Sequence, residues 1–238
     1  MLFRSVTVQN TVGVRGIHAV PTDVIAAQIE CVLDDIGTDA IKTGMLGGVA
    51  AVRAVTDVLK RKASGIPLVV DPVMVAKGGA SLLADDAVAT LRETLLPLAT
   101  LLTPNTPEAE RLTARSVGSE ADQVAVGKAL LAMGAKAVLV KGGHMAGDIV
   151  ADALVTNSSV TWFRGPRITS TSTHGTGCTL ASACAAGLAQ GMTLQDAVAR
   201  AHAYVQQAIK SAPGFGADRK STRLNSSHSQ QSRMPSSA

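Results

Sequence analysis

The stretch Thr173–Gly187, THGTGCTLASACAAG, runs from a glycine turn into a series of helix formers, with the thiol of Cys178 at the junction. A turn of this kind points the N–H groups of Gly175, Thr176, Gly177 and Cys178 out of the positive end of a helix, where an anion is favoured. Glycine also lets the main chain approach a phosphate closely. The same field is expected to lower the pKa of the thiol. A thiolate there could take a proton from an alcohol poised to attack phosphorus. The alternative is a capped turn with a buried, inert cysteine, because one glycine motif is a weak signal.

Other chemically able residues fall at the ends of apolar runs. Asp71 closes the run IPLVV, a costly place for a charge without a partner; it faces Mg²⁺ or phosphate, or ties a loop by hydrogen bonds. Asn105 and Glu108 in TPNTPEAE suit Mg²⁺, held directly or through water, and equally suit plain helix capping. Lys141, beside Gly142 and Gly143, would neutralise a nucleotide phosphate or simply end a strand in solvent. Gln9 carries an amide able to read a ring nitrogen and an exocyclic amine, and Met45 offers a soft wall to a flat ring; both types also serve as packing. His144 and His174 flank the glycine loops without zinc-like spacing, and His202 is read as a helix-surface residue.

An alternation of helix and strand patterns must position these residues. A strand is expected at Ser5–Gln9. In PTDVIAAQIECVLDDIG the residues Ile25, Ile29, Val32 and Ile36 share a helical face that stops at Gly37. The strand DAIKTG, a helix over Val49–Ala63, the apolar run IPLVVDPVMV, a helix over Asp85–Leu96 and the strand ATLLT follow. Two helical stretches lead to KAVLVKGG. DIVADALVT and SVTWFRG then read as antiparallel strands joined at Asn157 and Ser158. After the glycine turn come an alanine-rich helix and a final helix capped by Thr193 with Asp196 three residues on. Alternating units of this type predict a mostly parallel sheet with helices on both faces, and ligands beyond the carboxyl ends of its strands.

Composition narrows the function. Of the 238 residues 46% are hydrophobic but only 2% aromatic, so the core is aliphatic and stacking on nucleic-acid bases is disfavoured. The net charge of +4 resides mostly in the tail, where Arg219, Lys220, Arg223 and Arg233 oppose Asp218 alone; residues 1–217 carry +1. Three cysteines without a CxxC pair suggest reduced thiols. No stretch reaches the roughly 18 uninterrupted apolar residues of a membrane span. A cytoplasmic homodimer that binds neither nucleic acid nor membrane is expected.

Taken together, QNTVGV, TGML, DPVMVAKGG, LTPNTPEAE, LVKGGH, RGPRI and STHGTGCTLASA resemble, in order and spacing, the hydroxymethylpyrimidine/phosphomethylpyrimidine kinases of the ribokinase-like superfamily, from about Ser5 to Ala217. The resemblance implies a three-layer α/β kinase that uses ATP and Mg²⁺ to phosphorylate 4-amino-5-hydroxymethyl-2-methylpyrimidine and then its monophosphate. It implies that Gln9, Met45 and Val73 line the pyrimidine pocket. Asp71, Asn105 and Glu108 would organise Mg²⁺ and phosphates, with Lys141 by the nucleotide. Gly175, Thr176 and Gly177 would form the anion hole and Cys178 would be catalytic. A pyridoxal kinase of the same superfamily, or an inactive ligand-binding fragment, is the alternative.

Both ends depart from the pattern. The family opens with a strand, a glycine-rich loop and a helix before the QN strand, and this first βα unit is expected to be missing, with unpaired sheet edges as the consequence. The tail DRKSTRLNSSHSQQSRMPSSA resembles translated sequencing adapter over Asp218–His228 and Met234–Ala238. Residues 1–217 are therefore expected to form the kinase domain, and 218–238 a disordered artefact.

Overall fold

The computed structural model describes residues 5–10, 14–74, 83–170 and 173–212. The expected domain boundary, the tail from Asp218 and most of the segment VMVAKGG lie outside these residues.

Two strands, β1 (Ser5–Gln9) and β2 (Val14–Ala19), pair antiparallel as a ribbon of their own, with a bulge between Val8 and Gln9. No strand was expected at Val14–Ala19. The ribbon leaves Val6, Val8 and Ile17 exposed, so it lacks the inward-facing alternation that marks a half-buried strand in a sequence.

The remaining strands form one six-stranded sheet: β3 (Ile41–Thr43), β4 (Leu68–Val70), β5 (Leu101–Leu102), β6 (Val138–Val140), β7 (Ile149–Val155) and β8 (Val160–Pro166), side by side in that order. The first three pairings are parallel and the last two antiparallel, so β7 alone runs against the others. Among the described residues β3 is an edge strand. The expected mostly parallel architecture is observed.

Successive strand residues point to opposite faces, and this creates two cores. Val70, Leu102, Val138 and Val140 pack with helices α1 (Thr22–Asp35), α2 (Val49–Lys62), α3 (Asp85–Thr90), α4 (Thr106–Thr113) and α5 (Glu120–Ala132). Val69, Leu101, Leu139 and Leu154 pack with α6 (Thr176–Ala189) and α7 (Leu194–Lys210). Strands apolar on both sides are what such a three-layer arrangement requires.

Two helices differ from expectation in detail. The stripe on α1 buries Ile25 and Ile29, but the helix ends at Asp35, Gly37 turns with φ of 72°, and Ile36 is left exposed. The helix expected over Asp85–Leu96 keeps α-geometry only to Thr90, widens into a π-turn at Leu91–Leu95 and tightens into a 3-10 turn at Leu96–Leu98. Pro97 explains the change, since it has no N–H to continue the α-ladder.

Candidate active site

Parallel pairing sends the segments after β3, β4, β5 and β6 out of the same edge of the sheet, and main-chain bonds lace them together. Asp71 donates its N–H to Thr43 O at 2.9 Å, Thr103 to Val70 O at 2.9 Å, and Lys141 to Pro104 O at 2.9 Å. An isolated bridge joins Asn105 to Lys141. Residues far apart in sequence are thereby held against one another.

Asp71 is the centre of this region, with 2% of its side chain exposed. Its Oδ1 accepts from Lys141 Nζ at 3.2 Å and from Thr103 Oγ1 at 3.3 Å. The Lys42 ammonium faces Oδ2 at 3.7 Å. Burial acts to raise the Asp71 pKa, but Lys141 and Lys42 outweigh it and hold the carboxyl below its ordinary value. Lys141 is held charged in turn: burial disfavours the ammonium, while Asp71 and Glu108 more than compensate. The strand-end carboxylate and lysine thus solve each other's desolvation, and the reading of Lys141 as a solvated strand end does not hold.

Asn105 and Glu108 form a reciprocal capping box at the start of α4. Asn105 Oδ1 accepts from Glu108 N–H at 2.8 Å, and Glu108 Oε2 accepts from Asn105 N–H at 2.8 Å. The capping alternative is therefore realised, but Glu108 is more than a cap. It is buried, which pushes its pKa up, and it lies near enough to Lys141 and Asp71 for both charges to act on it.

The first turn of α6 arrives over this cluster. Gly175 is its N-cap with φ of 78°, a left-handed conformation that glycine adopts without strain, and no side chain caps the helix. Thr176 turns its hydroxyl back to Thr173 O at 3.0 Å. Gly177 is where Lys141 comes closest to the helix: a Cβ on it would stand 3.1 Å from Lys141 Nζ. Cys178 is exposed.

The expected depression of the Cys178 pKa is corrected here. Desolvation pushes the thiol above its ordinary value, and the Asp71 carboxylate adds to the rise; Lys42 is the largest opposing influence, followed by Lys141. The helix end faces a carboxylate as well as two ammonium groups, so its field does not act alone. Solvent still reaches the sulfur, which tempers the rise.

Met45 and Val73 stand half-buried on the segments after the neighbouring strands β3 and β4, at the same edge as Asp71. Gln9 ends β1 in the separate ribbon, and its side chain lies outside the described residues. Among the described residues no group of three or more His, Cys, Asp or Glu side chains gathers to hold a metal. Asp71 and Glu108 are already engaged by lysines and amides. This donor set fits an ion held mainly by phosphate oxygens and water, as Mg²⁺ commonly is, and not a dedicated protein cage.

Several positioning residues escaped the reading of the sequence. Lys42 is one; its signal was a lone charge inside the apolar strand of DAIKTG. Asp152 on β7 accepts from Gly142 N–H at 2.8 Å, and Gln123 on α5 donates to Val140 O at 3.2 Å and Ala151 O at 3.0 Å, so both brace the segment that carries Lys141. Arg167 in RGPRI spreads its guanidinium over three carbonyls, those of Gly143, Met145 and Gly147, and so fixes the glycine loop. His144 in that loop has its pKa lowered by burial and by the cations Lys141 and Arg167.

Comparison with known proteins agrees with this geometry. Residues 2–223 match the family described as phosphomethylpyrimidine kinase. The thiamine biosynthesis bifunctional protein of Geobacter sulfurreducens is 48% identical over 213 residues, which span 89% of this chain and 43% of that protein. The hydroxymethylpyrimidine/phosphomethylpyrimidine kinase of Streptomyces coelicolor is 46% identical over 205 residues, 86% of this chain and 75% of that one. Among solved structures, the phosphomethylpyrimidine kinase of Clostridium difficile superposes with a TM-score of 0.78 at 36% identity, covering 87% of this chain and 85% of that chain. An ADP complex of Bacillus subtilis pyridoxal kinase gives 0.82 at 31% identity, covering 93% and 84%. No described helix is long and apolar enough to cross a membrane. With a strand-end cluster of lysine, aspartate and cysteine on a ribokinase-like sheet, and with these matches over most of its length, the chain belongs to the phosphomethylpyrimidine kinase family.

Proposed function

We propose that this chain transfers the γ-phosphoryl group of ATP to the hydroxymethyl oxygen of 4-amino-5-hydroxymethyl-2-methylpyrimidine, and then to the resulting monophosphate. The observation that carries this reading is the buried Asp71 carboxylate shared by Lys42 and Lys141 beneath the uncapped first turn of α6. Lys141 and the amides of Gly175, Thr176 and Gly177 receive the transferring phosphoryl group. A loose transition state of this kind needs mainly positioning and charge stabilisation, which these groups supply. Cys178 takes the proton of the attacking hydroxyl as the new O–P bond forms and ADP leaves. Because its thiol pKa is raised, the first transfer quickens with pH as the thiolate becomes populated.

Gln9, Met45 and Val73 bound the pyrimidine. Asn105 and Glu108 orient the phosphates, and Asp71 and Glu108 hold Mg²⁺ through its water shell; the ion would neutralise charge on the donor phosphates. The same reading takes the enzyme as a cytoplasmic homodimer, which sedimentation velocity tests. Pyridoxal is the competing substrate, favoured by the structural likeness to the B. subtilis pyridoxal kinase. The deciding experiment measures ADP release by the full chain with the pyrimidine alcohol and with pyridoxal. A higher kcat/KM for the pyrimidine supports the proposal, and a preference for pyridoxal replaces it.

A further inference from the structure

Lys42 is the one charged member of the cluster to which the mechanism above gives no task. Lys141 is fully committed: its ammonium hydrogen-bonds Asp71, packs against Gly177 and sits on the donor side of the site. Lys42 is placed differently. Its ammonium stands 3.7 Å from Asp71 Oδ2, beyond hydrogen-bond length, and that buried oxygen has no hydrogen-bond partner. Here an ion pair is held just short of closure, with donors on Lys42 still to be used. The ammonium occupies the space that Gly44 leaves empty, since a Cβ on Gly44 would stand 2.7 Å from Nζ. Gly44 precedes Met45, on the pyrimidine side. Lys42 is also the charge that most favours a thiolate at Cys178, so it lies on the acceptor side of the sulfur.

The two transfers ask different things of that acceptor side. In the first, a neutral hydroxyl must lose its proton, and a base serves. In the second, the attacking oxygen belongs to a phosphate monoester that is largely dianionic at neutral pH. It needs no base, but its charge must be offset as it approaches the donor phosphates. A thiolate beside it would repel it.

We propose that Lys42 is the anchor for the substrate's own phosphate in the second transfer, and therefore the residue that fits one site to both an alcohol and a phosphomonoester. This rests on the two-step kinase reading. The attacking monoester oxygen forms its bond to the γ-phosphorus as the bond to the β-phosphate oxygen breaks, and ADP departs with that electron pair. Lys42 donates to the monoester oxygens that do not react, turning from Asp71 Oδ2 to do so, while Lys141 keeps Asp71 neutralised.

The test measures both steps separately on the full chain, with alcohol and with monophosphate as acceptor, and measures monophosphate affinity by calorimetry. Lys42→Gln is expected to weaken monophosphate binding and its kcat/KM by about tenfold to a hundredfold, the range for a hydrogen bond to a charged group, with a much smaller loss for the alcohol. Lys42→Arg should retain most of the monophosphate activity. Gly44→Ala, which displaces the ammonium without removing it, should show the same selective loss. Cys178→Ala should show the opposite selectivity. Equal losses for both acceptors in Lys42→Gln and Gly44→Ala would mean that Lys42 only props up Asp71, and would overturn the proposal. If Lys42→Gln does not fold, the Arg and Gly44 variants decide by the same criterion. Wild-type protein that phosphorylates neither compound overturns the two-step reading along with this one; wild type that handles both, with unselective variants, overturns the role of Lys42 alone.

Discussion

Cys178 and Cys184 sit on one helix, six residues or about 9 Å apart, and have little else in common. Cys178 lies in the first turn, exposed, among Asp71, Lys42 and Lys141. Cys184 lies in mid-helix, fully buried with Leu139, Leu154 and Val198, and burial pushes its thiol up to about 12. Desolvation raises both thiols, but Lys42 opposes the rise only at Cys178. The reactive thiol is thus defined by which strand ends it meets. The helix supplies only its direction.

Four measurements would break or sharpen that contrast. The largest effect is expected from Cys178→Ala, which should lower kcat for the alcohol by about 10²–10⁴-fold with stability retained, whereas Cys184→Ala keeps kcat near wild type. Equal losses would erase the distinction between the two ends of α6. Asp71→Ala should cost about 3–5 kcal/mol in chemical denaturation, because Lys141 and Lys42 lose their shared counter-ion. The folded-state pKa of Asp71 is depressed, so its contribution is complete above its ordinary value of 3.8 and is lost as pH falls below that value. The stability gap between wild type and Asp71→Ala should accordingly narrow only in that acid range; a gap that closes nearer neutrality would show that the lysines do not control Asp71.

A smaller loss, about 1–3 kcal/mol, is expected for Cys184→Ser, which puts a hydroxyl into an aliphatic core, while Cys178→Ser should change stability by less than about 0.5 kcal/mol. Similar unfolding midpoints for the two serine variants would place Cys184 outside the core. The subtlest readout is alkylation followed by peptide mass spectrometry. Cys178 should react slowly at neutral pH and faster as pH passes the ordinary thiol value, while Cys184 stays protected until unfolding. Rapid modification of Cys178 at neutral pH would instead indicate the depressed thiol that the helix end alone predicts.

The parts of the molecule that were legible are those where the pattern is local. β3–β8 and the helices α1, α2 and α4–α7 follow from apolar periodicity and punctuation by Gly, Asn, Ser and Pro. Thr193 was identified as the cap of the last helix from its own neighbourhood, and it accepts from Asp196 N–H at 3.2 Å. The ribbon strand β2 was missed because nothing buries one of its faces. The loops that converge on Asp71 were recognised as segments but not as contacts. Lys42 went unnoticed because a lysine in a short strand looks the same whether it reaches water or a carboxylate 29 positions away.

What the sequence by itself determined is the order of βα units, the anion-seeking glycine turn, and a set of motifs specific enough to name a family. These depend on residues near one another in the chain, and on propensities and spacings that survive without a partner. Tertiary structure alone decided that Asp71 is shared by two lysines, that Glu108 is both cap and buried acid, and that the Cys178 thiol is raised. Those properties are sums of burial and charge over groups on different strands. Both quantities depend on distance in space, which the chain acquires only when parallel pairing brings its strand ends together.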